Sequence, residues 1–221
     1  MEQIKNLLFS RFRTVFVVAS LTSLSLFLLM VRLKLTHSYF FLFLVWNLFL
    51  AAIPFLITFH LSGKNKVRKY RLLMWFALWL LFLPNAPYII TDFIHLQHLK
   101  SNILWLDAIL IGVYAFSGLL FYLISVQDME ELLQRHYHPK KVKYLLWMLP
   151  FLVGFGIYLG RFLRWNSWDV IQRPQNLLQD LVGILTYPMK HQGAWLVTLF
   201  FGFGLAIGYQ IFKRIGFFKL M

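Results

Sequence analysis

The sequence contains no cysteine and only eight acidic residues. Without cysteine the chain can form no disulfide bond and no thiolate metal site, so a bound metal would need histidine, carboxylate or carbonyl ligands. No motif of the HExxH kind is present, and Ser167 lacks the glycine pattern of a strained nucleophile elbow, which disfavours a zincin-type metal site and a serine triad. Low-complexity tracts and clear internal repeats are also missing, so we expect a single domain over residues 1–221.

Hydrophobic residues make up 60% of the chain and aromatic residues 19%. With a mean hydropathy of +0.67, this composition is outside the usual range of soluble domains and typical of polytopic membrane proteins. A net charge of +14 would favour nucleic acid binding in a soluble chain, but here the lysines and arginines lie between apolar runs, where membrane topology explains them. We therefore expect membrane lipids, and no nucleic acid, as partners.

Six apolar runs are long enough to cross about 30 Å of hydrocarbon, which takes about 20 helical residues. None shows the alternation of a barrel strand, and a backbone in lipid must satisfy its own hydrogen bonds, so the runs are predicted helices. The predicted fold class is all-α, a polytopic transmembrane helix bundle of six spans. The spans are expected at about 15–33, 38–60, 70–94, 104–126, 144–160 and 193–212.

The positions of the basic residues predict the orientation of these spans. Placing the N-terminus in the cytoplasm puts most of the 22 lysines and arginines on the cytoplasmic side, as the positive-inside rule requires. Both termini should then be cytoplasmic. The run from Val15 to Val31 is long for the hydrophobic region of a signal peptide and has no clear small-residue cleavage site, so we expect an uncleaved first span.

The predicted outer segment between spans five and six is unusually long. Its leucine-rich part follows a helical period, and Pro174 suits a first helical turn,. This part is too short and too amphipathic to cross the membrane, so we expect an interfacial or re-entrant helix at about 174–188. Trp165, Trp168 and Trp195 lie nearby as interfacial anchors,.

Glycine spacing predicts close packing of spans five and six. Gly156 and Gly160 in one, and Gly204 and Gly208 in the other, follow a small-xxx-small pattern. Such a pattern lets two membrane helices approach closely. We interpret it as a packing feature before any functional one.

The stretch LPNAPYIITDFIH, residues 83–95, is unusually polar for the end of a membrane span. Pro84 and Pro87 remove two backbone donors, which should kink or interrupt the third helix. The polar residues that follow are spaced by three, four and three positions, and therefore share one helical face. A polar face on a membrane helix is directed at protein or water rather than at lipid. Its members are Asn85, Tyr88, Asp92 and His95.

The predicted topology brings two further polar helix ends to the same outer membrane face. The fourth span begins there with Asp107, and the fifth ends there. The residues at the end of the fifth are Arg161, Arg164, Asn166, Trp168 and Asp169. We predict one outer site, in which Asp92, His95 and Asp107 exchange a proton or hold a divalent cation. The two arginines would bind the phosphate of a lipid or lipid-linked headgroup, and Asn85, Tyr88 and the other fifth-span residues would orient the substrate.

Several alternatives to this site stay open. The aspartates and arginines could form a purely structural ion-pair network that ties the helix ends together. The interrupted third span is also typical of small-solute transporters, whose broken helices build binding sites. A third alternative is a non-catalytic membrane subunit whose outer charges position helices for a partner. The sequence leaves the cofactor and the oligomeric state undetermined.

Three phrases, LPNAPYIITDFIHL, WLDAILIG and GIYLGRFLRWNSWDV, resemble the domain-of-unknown-function family 1361, a group of uncharacterised bacterial integral membrane proteins. The resemblance covers roughly residues 70–210. It implies a multi-pass protein of the bacterial plasma membrane. It implies no reaction, so no residue role follows from it.

Overall fold

A computed structural model of the chain describes residues 11–64, 67–98 and 103–216, apart from the side chain of His98. Every regular element among these residues is helical, which confirms the predicted all-α class. Two segments are 3₁₀-helices, Phe40–Leu42 and Ile89–His98. The α-helices are α1 (Phe12–Thr36), α2 (Phe43–Ser62), α3 (Lys69–Phe82), α4 (Asn85–Tyr88), α5 (Leu104–Gln134), α6 (Pro139–Arg161), α7 (Asp169–Gln172), α8 (Pro174–Thr186) and α9 (Gln192–Ile215).

Six segments of the described chain are long and apolar enough to cross a membrane, which confirms the six predicted spans. The cytoplasmic location of the termini stays a prediction. A helix is confirmed in the predicted outer segment, as α8, while its interfacial or re-entrant position stays a prediction. The six segments are Phe12–Thr36, Phe40–Ser62, Lys69–Gln97, Leu104–Gln134, Pro139–Arg161 and Gln192–Ile215.

The chain forms two compact units. The first unit comprises residues 1–136 and 215–221, and its described part contains α1 to α5. The second unit comprises residues 137–214 and contains α6, α7, α8 and nearly all of α9. The single domain expected over residues 1–221 stays a prediction.

Helix α5 is the centre of the first unit and the most buried of the six spans. Helices α1, α2 and α4 and the 3₁₀-helix Ile89–His98 all pack against it. The sequence explains this position, because α5 carries apolar residues around most of its circumference and such a helix is stable only when surrounded. Its fully buried large side chains are Leu110, Ile111, Tyr114, Tyr122 and Met129.

The predicted interruption of the third span is confirmed. Helix α3 ends at Phe82, a single turn of α4 follows, and the chain continues as a 3₁₀-helix from Ile89. Proline at position 87 has no N–H and would clash with the carbonyl group four residues earlier in a continuous α-helix. Asn85 compensates at the break, because its Nδ2 atom donates a hydrogen bond of 3.0 Å to the carbonyl oxygen of Phe82.

This break packs directly against Gly118 of α5. A Cβ atom added at Gly118 would overlap the carbonyl oxygen of Ala86 and lie 3.1 Å from Cδ1 of Ile89. Only glycine allows the two backbones to approach so closely. This contact therefore fixes the position of the interrupted span along the axis of α5.

In the second unit, α8 packs by Ile184 against Tyr158 of α6 and Ala194 of α9. Helices α6 and α9 approach each other closely at Gly154, where an added Cβ would lie 2.7 Å from the carbonyl oxygen of Thr198. At Gly204 and Gly208 an added Cβ would meet nothing within 4 Å. The predicted role of these two glycines in helix packing is wrong, because periodicity alone does not tell which face of α9 meets α6.

Candidate functional site

A buried ion pair joins Arg32, near the end of α1, to Asp107, in the first turn of α5. Arg32 Nε lies 3.0 Å from Asp107 Oδ1, and the two side chains are 4% and 0% exposed. The Nη1 atom of Arg32 also donates to Thr36 Oγ1 at 2.9 Å and to the carbonyl oxygen of Ser38 at 3.0 Å. The guanidinium plane lies over the ring of Phe41, 4.7 Å from its centroid. Arginine suits this position because its planar fork makes several directed hydrogen bonds while stacking on an aromatic ring.

Sequence reasoning missed Arg32, which looked like an ordinary charge at the end of a span. Its burial now explains how Asp107 is tolerated, since a buried carboxylate is stable only when paired and hydrogen-bonded. Among the described residues, Asp107 Oδ2 has no hydrogen-bond partner. One oxygen of this carboxylate is therefore able to accept a further hydrogen bond.

The second carboxylate of this region, Asp92, is fully buried. Asn47 of α2 donates from Nδ2 to Asp92 Oδ2 at 2.9 Å. The Nε2 atom of His95 lies 3.9 Å from Asp92 Oδ1, and the His95 side chain is 30% exposed. Asp92 and His95 thus come together as their spacing predicts, with a buried carboxylate beside a half-buried imidazole. Asn47 was not predicted, because nothing in the apolar pattern of α2 indicates which residue it would meet.

Aromatic rings connect the two carboxylate clusters. His95 packs against Phe40 and Phe43, with ring centroids 5.9 and 5.1 Å apart. The Arg32 guanidinium lies over the ring of Phe41, and this ring packs against that of Phe40, with centroids 5.1 Å apart. Both clusters therefore lie at the same end of the first unit. We call this end the Asp107 edge and define it by Arg32, Asn47, Asp92, His95 and Asp107.

A metal site made of Asp92, His95 and Asp107 does not form. Within the described parts of the chain, no three histidine, aspartate or glutamate side chains are close enough to hold a metal ion. The reason is that Asp107 is committed to Arg32, while Asp92 and His95 form a separate pair. Proton exchange between the imidazole and the carboxylate is the chemistry that remains at this edge.

The two other predicted residues of the third span lie at the break. Asn85 and Tyr88 are half-buried. Asn85 uses its amide to bond the Phe82 carbonyl, and the carbonyl oxygen of Tyr88 accepts a hydrogen bond of 2.7 Å from Thr91 Oγ1. These contacts give both residues a role in shaping the interrupted span, and their predicted contact with substrate stays a prediction.

The remaining predicted residues belong to the second unit. Arg161 ends α6 and is half-buried, Arg164 is exposed, and Trp168 precedes α7. Asn166 donates to Asp169 Oδ2 from its backbone nitrogen at 2.8 Å and from Nδ2 at 3.1 Å. Arg173 donates to Asp169 Oδ1 at 2.8 Å from Nη2.

Among the acidic side chains in the described part of the second unit, Asp169 accepts the most hydrogen bonds. The backbone N–H of Asn166, followed by the Arg173 side chain, lowers the pKa of Asp169 below its usual value, because hydrogen bonds to the charged form favour ionisation. Asp169 therefore stays ionised at neutral pH and fixes the loop between α6 and α8.

A second buried ion pair lies at the opposite end of α1 and α5. Arg11 Nη1 is 2.6 Å from Asp128 Oδ2, with side-chain exposures of 4% and 6%. The guanidinium lies 5.9 Å from the centroid of Phe59. Neither residue was predicted as a site residue, because in the sequence Arg11 precedes the first predicted span and Asp128 follows the fourth.

Comparison with known proteins gives one match. Residues 46–207 match the model of a family described as Protein of unknown function (DUF1361). No curated protein and no solved structure matches the chain.

Proposed function

The chain belongs to the DUF1361 family of proteins of unknown function, and on that premise we propose its function from its own residues. We propose that this multi-pass membrane protein binds the headgroup of a membrane lipid or lipid-linked phosphate at the Asp107 edge, and that His95 and Asp92 exchange a proton with the bound headgroup. The proposal places this edge at the extracytoplasmic membrane surface, as the charge distribution predicts.

One observation carries the proposal: the fully buried Asp92 carboxylate stands beside a His95 imidazole that keeps 30% of its surface exposed. Burying a carboxylate costs free energy unless it is partnered, and Asn47 supplies one donor. A histidine next to an oriented carboxylate is the usual arrangement for moving a proton near neutral pH. The exposed part of the imidazole gives a bound molecule access to it.

The surroundings of the pair favour a lipid over a soluble molecule. The residues lie at the ends of spans, where headgroups meet the hydrocarbon. Tyr39 and Phe40 are exposed beside them, and aromatic rings are common at this depth of a membrane. A lipid headgroup reaches this position without leaving the bilayer, so the site needs no opening to the aqueous phase.

The charge balance indicates which part of the headgroup would bind here. The Asp107 edge holds two buried carboxylates against one arginine. This balance favours hydrogen-bond donors such as hydroxyl or amine groups, because an anionic phosphate would be repelled. Asp107 Oδ2 is one acceptor without a partner among the described residues.

The test is native mass spectrometry of full-length protein, gently extracted from its own membrane. A defined lipid adduct is expected on the wild type and on His60→Gln, which makes the same substitution as His95→Gln at an exposed histidine of the first unit. Asp92→Asn and His95→Gln should lose the adduct. Equal adducts on all four proteins would refute the site, and His95→Gln keeps the test valid if Asp92→Asn fails to fold.

A transporter is the second candidate. The interrupted third span supports it, since discontinuous helices build solute sites in many transporters,. Substrate counterflow in liposomes containing the purified protein is the expected result for this function. Its absence, with lipid adducts present, would favour the headgroup site.

A non-catalytic subunit is the third candidate, and the Arg32–Asp107 ion pair supports it, because a buried ion pair can act as a structural link alone,. A subunit should lose thermal stability and abundance when its partner is deleted from the host. Unchanged abundance across partner deletions would count against this function.

A further inference from the structure

The loop that follows α6 holds an arginine in an unfavourable backbone conformation. Arg164 has φ of 59°, in the left-handed region that glycine and asparagine occupy readily and other residues rarely do. The backbone nitrogen of Trp165 donates to the carbonyl oxygen of Leu159 at 3.0 Å, so the chain folds back over the last turn of α6. Glycine would satisfy this turn better, and the arginine side chain is therefore presented at a cost in stability.

The Arg164 guanidinium is exposed, and within the described residues it makes no ion pair or hydrogen bond. The nearby acids of the second unit are engaged by other groups. Asp169 is bound by Arg173 and Asn166, and Asp180 Oδ2 accepts from Trp165 Nε1 at 2.8 Å. The positive charge of Arg164 is thus directed outward without a local counter-charge.

Helix α8 adds an exposed apolar row to this loop. Ile184 is fully buried against the core of the second unit, while Leu178, Val182 and Leu185 are 59%, 55% and 65% exposed. These three positions share one face of the helix, since they lie within about 60° at 100° per residue. Ile171 and Met189, before and after α8, are also strongly exposed. The helix therefore has one apolar side packed inside and a second one facing outward.

We propose that this surface, defined as residues 162–191, binds an anionic phospholipid. Arg164 contacts the lipid phosphate, and the row of Leu178, Val182 and Leu185 lies among the acyl chains. Charge complementarity selects the lipid: Arg164 and the exposed Lys190, whose Nζ lies 5.0 Å from the Tyr187 ring centroid, form the basic rim that amphipathic surface helices use at anionic membranes. The proposal goes beyond the function proposed above, because it rests on other residues in the other unit.

The first experiment measures lipid selectivity. Purified full-length protein is titrated with phosphatidylglycerol and with phosphatidylcholine of identical acyl chains, and bound lipids are counted by native mass spectrometry. Wild type should prefer phosphatidylglycerol, and Arg164→Gln should weaken its binding about fivefold, the effect of one basic residue near an anionic surface. Arg135→Gln, an exposed arginine of the first unit, should leave it unchanged. Equal losses in both variants, or no preference in wild type, would overturn the proposal.

Arg164→Gly separates charge from backbone strain. It should raise the thermal unfolding temperature, because glycine adopts the left-handed conformation without strain, and it should lose lipid selectivity as Arg164→Gln does. A glycine variant that keeps the selectivity of wild type would show that the guanidinium is not the phosphate ligand.

The second experiment tests the apolar row and uses the absence of cysteine from the chain. Leu185→Cys and Asn176→Cys each carry one bimane label in the full-length protein, reconstituted in bilayers with brominated acyl chains. Asn176 lies about 160° around α8 from Leu178 and is exposed. Strong quenching at position 185 and weak quenching at 176 are expected. Equal quenching at both positions, or none at 185, would overturn the lipid assignment whatever happens at the Asp107 edge.

Discussion

Arg32 and Asp107 form a buried ion pair that joins the same two helices as the ion pair of Arg11 and Asp128. Along α1 the two arginines are 21 positions apart, and along α5 the two aspartates are also 21 positions apart. At 1.5 Å per residue this is about 30 Å, the thickness of a hydrocarbon core. Between the pairs, the hydroxyl groups of Ser25 and Ser117 are 3.2 Å apart. Three contacts thus fix the antiparallel register of α1 and α5: an ion pair at each end and the serine pair between them.

The first prediction concerns the energy of this link. Asp107→Ala should lower the free energy of unfolding by about 3–5 kcal/mol, because it leaves a buried arginine without its counter-ion. The double variant Arg32→Leu, Asp107→Leu should cost much less, since neither charge remains. Thermal and denaturant unfolding in mild detergent would measure both. A double variant at least as unstable as Asp107→Ala would contradict the prediction.

The second prediction concerns the packing of the interrupted span. Gly118→Ala should destabilise the protein by about 1–3 kcal/mol, because the new methyl group overlaps the carbonyl oxygen of Ala86,. Gly204→Ala is the matched control in another membrane helix, where the added methyl group meets nothing within 4 Å. Unfolding temperatures of the two variants would be compared. Equal effects would contradict the close approach at Gly118.

The third prediction concerns Asn47, which the structure places against Asp92. Asn47→Ala removes the donor 2.9 Å from the buried carboxylate and should destabilise the protein by about 1–3 kcal/mol. Phe49→Leu, at an exposed position of the same helix, should change stability by less than about 0.5 kcal/mol. Denaturant unfolding would measure both variants. A neutral Asn47→Ala would mean that Asp92 does not depend on this hydrogen bond.

The fourth prediction concerns pH and the Asp169 loop. The hydrogen bonds from the Asn166 N–H and from Arg173 lower the pKa of Asp169 in the folded protein. A carboxyl group whose pKa is lowered by folding stabilises the fold at pH values above its pKa in the unfolded chain, about 3.9. This stabilisation is lost as the pH falls through the pKa that the group has in the folded protein. We expect the loop to open below about pH 4.

Hydrogen exchange of the loop peptides, corrected for the intrinsic pH dependence of exchange, would test this opening. Asp169→Asn should exchange faster than wild type at neutral pH and should show a flatter acid response. A variant with the wild-type acid response would mean that another group controls the loop.

The helical spans were predictable because their physical cause is local. Runs of about 20 apolar residues separated by basic connectors have one stable form in a membrane, and the six spans follow from them. The break in the third span was predictable too, since Pro84 and Pro87 cannot continue an α-helix. The approach of His95 to Asp92 followed from their spacing on one face.

The partners across helices were not predictable. The sequence shows Asp107 and Arg32 as charges at the ends of separate apolar runs, and only the packing of α1 against α5 makes them a pair. Asn47 lies in an apolar helix whose rotation about its own axis decides whether it meets Asp92 or lipid. The glycine pattern failed for the same reason, because Gly204 and Gly208 share a face that does not contact α6.

The sequence by itself determined that this protein is a helical, six-span membrane protein with polar residues at the ends of its spans. Hydrophobic length and proline chemistry act within a few turns of one helix, so they can be read from the residues in order. Only the tertiary structure decided which charges are paired inside the protein and which are exposed. That choice depends on helix rotation and register, which are set by side-chain packing among residues far apart in the chain.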